Sequence, residues 1–328
     1  MMADNQLLND NGGDGDDILV YTGGEQQVPR DVKRVRIAEN IDTIPAWTFY
    51  DRTQLIEVEG HKKLNKIETL AFYNCFSLRR VTKMQGLREI GSEAFYYCTD
   101  LSDIDLDKLE IIGYCAFHGC KSLSTVNIPS IRILRPGAFS HCDALTDVVF
   151  GVKLEIIEDN AFVDCTALRR IVIPLKDNLI IGNDIFTYCG NLSRVDTLVG
   201  GIHKTISSLH MESWRNEMQE EIDRINQTLP NTHSFEKTTA IQQWITRVLN
   251  RMEHFKTEHK MLVKEAVVLL ELALWKAKIL DEGGEKNNCV NVATEKVKID
   301  AEATRIEHRV TCGASIVIKN VLPFLELS

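Results

Sequence analysis

Cysteine is the residue type in this chain whose spacing could support metal or redox chemistry. One cysteine recurs in each of six successive segments, at Cys75, Cys98, Cys120, Cys142, Cys165 and Cys189. Zinc needs four ligands that converge in a tetrahedron, usually from Cys-x-x-Cys pairs, and no such pair occurs. Disulfides between neighbouring segments are the geometric alternative. An odd total of nine cysteines, without an export signal, favours reduced thiols, which we interpret as small buried side chains.

Two short segments approach known metal-binding motifs. The stretch GGDGDDILV at residues 12–20 fits a calcium-binding nonapeptide, but this motif shares each ion between tandem copies and occurs here once. We therefore favour a solvated acidic leader over weak calcium binding. The second segment, His254 to His259, is one residue too long for the H-x-x-E-H zinc motif. On a helix, His254 and Glu258 form an exposed polar pair instead.

Motifs that define the common enzyme classes do not occur: G-x-S-x-G, the P-loop, G-x-G-x-x-G and H-E-x-x-H are missing. We predict no catalytic residue, cofactor or metal. The net charge of −9 argues against a nucleic-acid partner. The N-terminus has no apolar signal segment, and Met261–Leu280 carries too many charges for a membrane span. A cytoplasmic location is expected, with the nucleus also allowed.

A repeat of 22–24 residues organises the first half of the chain. Each copy contains an Ile or Leu, then Ala-Phe, then Cys, Leu and Val or Ile at fixed distances. The phenylalanines of the seven copies are Phe49, Phe72, Phe95, Phe117, Phe139, Phe162 and Phe186. One such coil cannot bury its own apolar face, so the coils must stack. The alternating segments that follow each Leu predict one parallel sheet along the stack.

The pattern L-x-x-I-x-x-x-A-F-x-x-C-x-x-L-x-x-V-x-I over residues 32–197 resembles the BspA-like subclass of leucine-rich repeat. The opening of the repeat region also resembles leucine-rich repeat proteins of diatoms. The resemblance implies a curved recognition solenoid of about seven coils, without catalytic residues. The first and last coils depart from the pattern at Thr48, Arg52 and Ile185, as expected of coils that lack a neighbour on one side.

Helical periodicity replaces the repeat after residue 200. Apolar stripes predict helices over residues 214–229, 241–255, 261–280 and 294–321, the third being the most apolar and central. The predicted fold class is therefore an α/β solenoid followed by an all-α helical bundle. The predicted domains are an acidic disordered leader (1–20), the solenoid (21–200) and a helical domain (201–328). This helical domain either seals the open end of the solenoid or mediates homo-oligomerisation through coiled-coil pairing.

Outward side chains of the predicted sheet are the candidate binding surface. Val149 and Val172 are expected to lie adjacent and exposed beside Arg170 and Arg194, an apolar patch with a charged edge. Strand propensity alone could also explain the valines. The full predicted set is Arg80, Asp103, Asn127, Val149, Arg170, Val172 and Arg194. A non-catalytic scaffold that binds a protein or peptide is the expected function, and a surface-associated adhesion or calcium-linked protein is the alternative.

Overall fold

The structure is a computed structural model that describes residues 18–176, 178–198 and 212–284. Sixteen β-strands lie in these ranges. In chain order they are β1 Ile18–Tyr21, β2 Arg34–Ile37, β3 Thr43–Ile44, β4 Glu57–Glu59, β5 Lys66–Ile67, β6 Arg80–Thr82, β7 Glu89–Ile90, β8 Asp103–Ile104, β9 Ile111–Ile112, β10 Thr125–Ile128, β11 Ile133–Leu134, β12 Asp147–Phe150, β13 Ile156–Ile157, β14 Arg170–Pro174, β15 Ile180–Ile181 and β16 Arg194–Leu198.

All strand pairing between coils is parallel and in register. The outward-facing strands that follow each Leu form two sheets, β1-β2-β4-β6-β8 and β10-β12-β14-β16. The strands before each Ala-Phe form a third sheet of seven two-residue strands, from β3 to β15. The predicted fold class, a leucine-rich repeat solenoid of about seven coils followed by helices, is confirmed.

Identical side chains stack on one another through the interior. The seven repeat phenylalanines are fully buried, and their neighbouring rings lie nearly parallel with centroids 4.9–6.0 Å apart. Their spacing is close to the distance between paired strands, because each coil advances by one strand. Apolar burial in a coil therefore depends on the coils on either side of it.

The repeat cysteines hold adjacent coils together by hydrogen bonds as well as filling space. Each thiol donates to the backbone carbonyl of the phenylalanine in the preceding coil; for example, Cys98 Sγ lies 3.1 Å from the carbonyl oxygen of Phe72. The six bonds have lengths of 3.0–3.2 Å, and all six thiols are buried and free. In the first coil Arg52 takes the cysteine position, and its Nε donates to the carbonyl of Val28 at 3.0 Å.

Two features of the sheets differ from the prediction. The predicted single sheet is interrupted after β8, where the Asp105 carboxylate accepts a hydrogen bond from the Asp107 backbone N–H and turns the chain. The predicted leader is also too long at its C-terminal end. Residues 18–20 belong to β1. This strand pairs with β2 and extends the five-stranded sheet at its N-terminal edge. Residues 1–17 lie outside the described residues.

The helical half contains two α-helices among its described residues, Glu212–Thr228 (α1) and Lys237–Gly284 (α2), with short 3-10 turns at Leu229–Asn231 and Ser234–Glu236 between them. The predicted end of the first helix at residue 229 is confirmed to within one residue. The predicted break between the second and third helices is wrong, because no proline or glycine separates them and one helix of 48 residues runs through both.

The third predicted helix is not the buried centre of the described structure. Leu269, Leu272 and Trp275 of α2 are exposed. The predicted fourth helix lies outside the described residues. Two compact units are present: one joins residues 18–198 to residues 220–245, and the other contains residues 212–219 and 246–284. Apart from the end of the leader, the predicted domain division remains a prediction.

Candidate interaction surface

Outward side chains of the two larger sheets form what we call the strand face. Because the coils are in register, one outward position per strand repeats along the solenoid axis. In the five-stranded sheet the column reads Arg34, Glu57, Arg80 and Asp103. In the four-stranded sheet a column reads Asn127, Val149, Val172 and Asp196. The interruption after β8 places Arg80 and Asp103 on a different sheet from the other predicted site residues.

Charges on the N-terminal part of the strand face pair with one another across coils. Glu57 lies between Arg34 and Arg80, at 3.1 Å and 3.5 Å from their guanidinium nitrogens. Glu59 accepts hydrogen bonds from Lys83 and Arg36, which lower the pKa of its carboxyl. The alternation of sign at the repeat spacing was visible in the sequence, but the prediction did not weigh it. Opposite charges on adjacent parallel strands stabilise the register.

A second ion-pair cluster lies on the four-stranded sheet. The Asp196 carboxylate is 2.6 Å from Nε of Arg170 and 2.9 Å from Nε of Arg194. Desolvation by burial would raise the pKa of Asp196, but the hydrogen bonds from the two arginines outweigh it and lower this pKa. Both predicted site arginines therefore already have an intramolecular carboxylate partner.

The predicted site residues differ in their exposure to solvent. Arg80, Asp103, Asn127 and Arg194 are exposed, whereas Arg170 and Val149 are half-buried. The predicted exposure of Val172 is wrong: its residue is only 5% exposed, in the stretch Ile171–Pro174 that is buried throughout. Neither valine is therefore fully exposed, and only the half-buried Val149, which lies beside Asn127, remains accessible. A binding role for these residues remains a prediction.

The opposite side of the coil, where Ala-Phe makes its turn, presents a feature that the prediction missed. The residue after the repeat Phe is aromatic and half-buried in four successive coils: Tyr50, Tyr73, Tyr96 and His118. Their rings stack with centroid spacings of 5.0, 5.0 and 4.4 Å. We call these four residues the aromatic row. Their fixed distance from the repeat Phe could have revealed the row from the sequence.

His118 closes this row in its neutral form. The Ser140 hydroxyl donates to the carbonyl of Gly137 at 2.8 Å, so it accepts a hydrogen bond from Nδ1 of His118 at 2.6 Å. Desolvation by burial and the nearby His141 lower the pKa of His118 to about 4. The row therefore carries no cation at neutral pH.

At the C-terminal end of the solenoid, helix residues occupy the hydrogen-bonding positions of a further coil. Asn226 accepts from the N–H of Val195 at 2.7 Å and donates to its carbonyl at 3.1 Å. The N–H of Phe186 donates to the hydroxyl of Thr238 at 2.9 Å, where each earlier repeat Phe donates to a carbonyl of the next coil. Lys237, which is buried, donates to the carbonyls of Gly190 and Leu192. Every contact lies within one compact unit.

This stack of parallel coils with one buried spine is a leucine-rich repeat solenoid, a class of binding scaffold that is generally non-catalytic. The chain belongs to the family described as BspA type leucine rich repeat region. Six copies of this repeat match the chain, over residues 29–144 and 89–217. The family prediction is confirmed. None of the described helices is long and apolar enough to cross a membrane.

Similar solved structures are bacterial leucine-rich repeat proteins. A leucine-rich cell surface protein of Faecalibacterium prausnitzii is 33% identical, with a TM-score of 0.44, and the match covers 55% of this chain and 49% of that protein. The chain thus spans about half of that relative's length. The Treponema pallidum leucine-rich repeat protein is 24% identical over 60% of this chain and 88% of its own, with a TM-score of 0.45.

A leucine-rich repeat protein of Bacteroides ovatus is 23% identical over 51% of this chain and 56% of its own, with a TM-score of 0.38. Among curated proteins none matches this chain. The resemblance to diatom proteins remains a prediction.

Proposed function

We propose that this protein is a non-catalytic scaffold that recognises a protein or peptide on its solenoid surface. The observation that supports the proposal most directly is the division of roles within each coil. The buried Phe and Leu positions repeat in all seven coils, whereas the outward positions vary, as Asn127, Val149 and Arg194 do on the strand face. A rigid stack of this kind presents side chains at fixed distances with little loss of conformational entropy on binding.

The proposed contact area on the strand face centres on Val149. Its half-buried side chain lies next to exposed Asn127, and the Arg170–Asp196–Arg194 cluster lies on the next two strands, β14 and β16. An apolar centre with a polar edge is the usual composition of an interface. Arg170 and Arg194 form the polar edge of this area, and their charge is partly neutralised because both pair with Asp196. Arg80 and Asp103 lie on the neighbouring sheet and form the outer limit of the proposed area.

We further propose that the helical segment caps the solenoid. Asn226, Thr238 and Lys237 supply donors and acceptors to an edge that would otherwise be left unpaired. The exposed Leu269, Leu272 and Trp275 of α2 support a second role, in which two copies pair through this helix as a coiled coil. Replacing Leu269 and Leu272 with Glu should then convert a dimer to a monomer in light scattering.

A cytoplasmic location is part of the proposal, and its support is the free state of the seven cysteines in the described residues. A cell-surface adhesion protein is the second candidate, favoured by the description of the Faecalibacterium relative as a cell surface protein. Fractionation of the native source with an antibody to the chain distinguishes the two. Recovery with the soluble fraction supports the first, and labelling of intact cells supports the second.

Val149→Lys tests the strand face directly. A charge at the centre of the contact area should remove any partner that co-purifies stoichiometrically with the full chain. Thr166→Lys is the matched control, because Thr166 is exposed at the turn after Cys165 and lies outside this face. A partner that is retained by both variants would place binding elsewhere on the molecule.

A further inference from the structure

The turns that carry the aromatic row have a backbone that strongly limits the choice of residue. In each coil the residue before Ala-Phe has a positive φ, which directs its N–H to a carbonyl of the next coil; Leu70, for example, donates to Ser92 at 3.0 Å. Gly, Asn and Asp tolerate this conformation best. Three later coils follow the rule with Gly137, Asn160 and Asp184.

The first four coils do not follow it. The same turn position holds Trp47, Leu70, Glu93 and Cys115, at φ values of 64°, 60°, 54° and 47°. Two residues after each repeat Phe a second positive φ occurs, and in the third coil this position is Tyr97, at 54°. A bulky residue in this region of φ is disfavoured relative to glycine, so these side chains detract from the stability of the turns.

Trp47, Leu70, Glu93 and Tyr97 belong to the coils of the aromatic row, whereas Tyr188, which has the same backbone conformation in the last coil, contacts Phe235. Trp47 contacts Tyr50 with ring centroids 4.9 Å apart, and Tyr97 contacts Tyr96 at 4.7 Å. Trp47 is 56% exposed and Tyr97 is 38% exposed. The other border of the first two coils consists of Asp51 and Asn74. The aromatic row is therefore flanked on one side by Trp47 and Glu93 and on the other by Asp51, Asn74 and Tyr97.

Hydroxyl groups of the row have no partner within the described residues. The rings of Tyr50, Tyr73 and Tyr96 are half-buried and stack face to face, so that ring edges and phenol oxygens remain for a ligand. No protein group accepts or donates a hydrogen bond to these three oxygens in the described ranges. Tyrosines that line a site usually combine an apolar ring with a hydrogen bond from the hydroxyl.

Charge around the row is acidic. Asp51 and Glu93 border it, and no Lys or Arg belongs to either border. The nearest cation along the chain, Arg52, is directed to the carbonyls of Val28 and Tyr50. Desolvation, with the negative charge of Glu93 and Asp51 adding to it, raises the pKa of Tyr73. A ligand with positive charge is therefore the complementary one.

We propose that the aromatic row binds an extended, proline-rich peptide segment that contains arginine. Polyproline II helices leave their carbonyls free to accept hydrogen bonds and bind to aromatic-lined surfaces. Three residues of such a helix advance about 9.3 Å, close to two tyrosine spacings of 5.0 Å each. Its carbonyls can then meet alternate phenols, its prolines pack on ring edges, and arginine pairs with Asp51 or Glu93.

A labelled peptide of repeated Pro-Pro-Arg units, titrated with the full chain in fluorescence polarisation, tests the proposal. Tyr73→Phe keeps the ring stack and removes one hydroxyl, and we expect affinity to fall about fivefold. Glu93→Gln keeps the side-chain length and removes a charge, and we expect about a tenfold loss that shrinks in high salt. Val163→Tyr, two coils beyond the row, is the control and should change neither the affinity for the peptide nor its dependence on salt.

Ligand variants complete the test. A Pro-Pro-Glu peptide should not bind, and a Gly-Gly-Arg peptide should bind at least tenfold more weakly because it is not pre-ordered. Equal binding of the Gly-Gly-Arg peptide would overturn the proposal, as would equal affinity of wild type and Tyr73→Phe. Retention on an insoluble β-glucan, without peptide binding, would reassign the row to carbohydrate. Val149→Lys should leave peptide binding unchanged, so failure of this test is separable from failure of the strand-face proposal.

Discussion

The strand face and the opposite side of the coils, which carries the aromatic row and which we call the turn face, differ in how their outward side chains are partnered. On the strand face, charges such as Arg34, Glu57 and Arg80 pair across coils. On the turn face, the hydroxyls of the row tyrosines have no partner among the described residues, and bulky residues occupy a backbone conformation that disfavours them. Side chains on the first face contribute to holding the coils in register, whereas several on the second detract from stability.

The largest effect is expected from the spine that supports both faces. Phe117→Ala removes a fully buried ring that stacks at 5.2 Å on Phe95 and at 5.0 Å on Phe139. We expect a loss of about 3–5 kcal/mol in the free energy of unfolding, measured by urea titration. Thr125→Ala, at an exposed position, is the control. A loss below about 1 kcal/mol would mean that the two faces do not depend on a shared core.

Asn226→Leu removes the group that pairs with the last strand of the strand face. It leaves the N–H and the carbonyl of Val195 without their partners, and we expect a loss of about 2 kcal/mol. Gln227→Leu changes an exposed neighbour on the same helix and should alter stability little. Hydrogen exchange at Val195 should rise in the first variant alone, and equal stability of both would contradict the proposed cap.

A reciprocal exchange sharpens the comparison on the turn face. Glu93→Asn should raise the free energy of unfolding by about 0.5–1 kcal/mol, because Asn tolerates the positive φ at this position better. Asn160→Glu makes the opposite change at the same turn position three coils later and should lower stability by a similar amount. Thermal unfolding of both variants measures the difference. If both variants changed the free energy of unfolding in the same direction, the positive φ would not determine which residue is favoured at this turn.

An effect of the same small size is expected at the ion pairs of the strand face. Asp196→Asn should cost about 0.5–1 kcal/mol at pH 7, because partly exposed ion pairs contribute little. The pKa of Asp196 is lowered in the folded protein, so its stabilisation is present above the unfolded-state pKa of about 3.9 and is lost as pH falls through the folded-state pKa. The unfolding curves of wild type and variant should therefore differ at pH 7 and converge in acid.

Much of the solenoid was predictable because its interior repeats. The positions of Phe, Leu and Cys fix the coil length and the inward residues, and the structure places them in the spine as expected. Exposure on the strand face was predicted less well. Val172 follows the outward alternation, but it belongs to a strand end that is buried, and strand periodicity cannot report such local burial.

Helix boundaries show a similar limit. The sequence between Phe255 and Met261 contains no helix-breaking residue, so only the shift of the apolar stripe indicated two helices. The structure continues one helix through this region, because local propensity there favours helix throughout. Each member of the aromatic row directly follows a repeat Phe, so a comparison of this position between coils predicts the row from the sequence.

The sequence by itself determined the stacked solenoid, since a 23-residue apolar pattern can be buried only against copies of itself. Tertiary structure alone decided which outward charges meet, which thiol donates to which carbonyl, and that side chains such as Asn226 and Thr238 stand in for a missing coil. The physical reason is that apolar periodicity acts through local spacing, whereas these hydrogen bonds join groups that only the completed stack brings within 3 Å of one another.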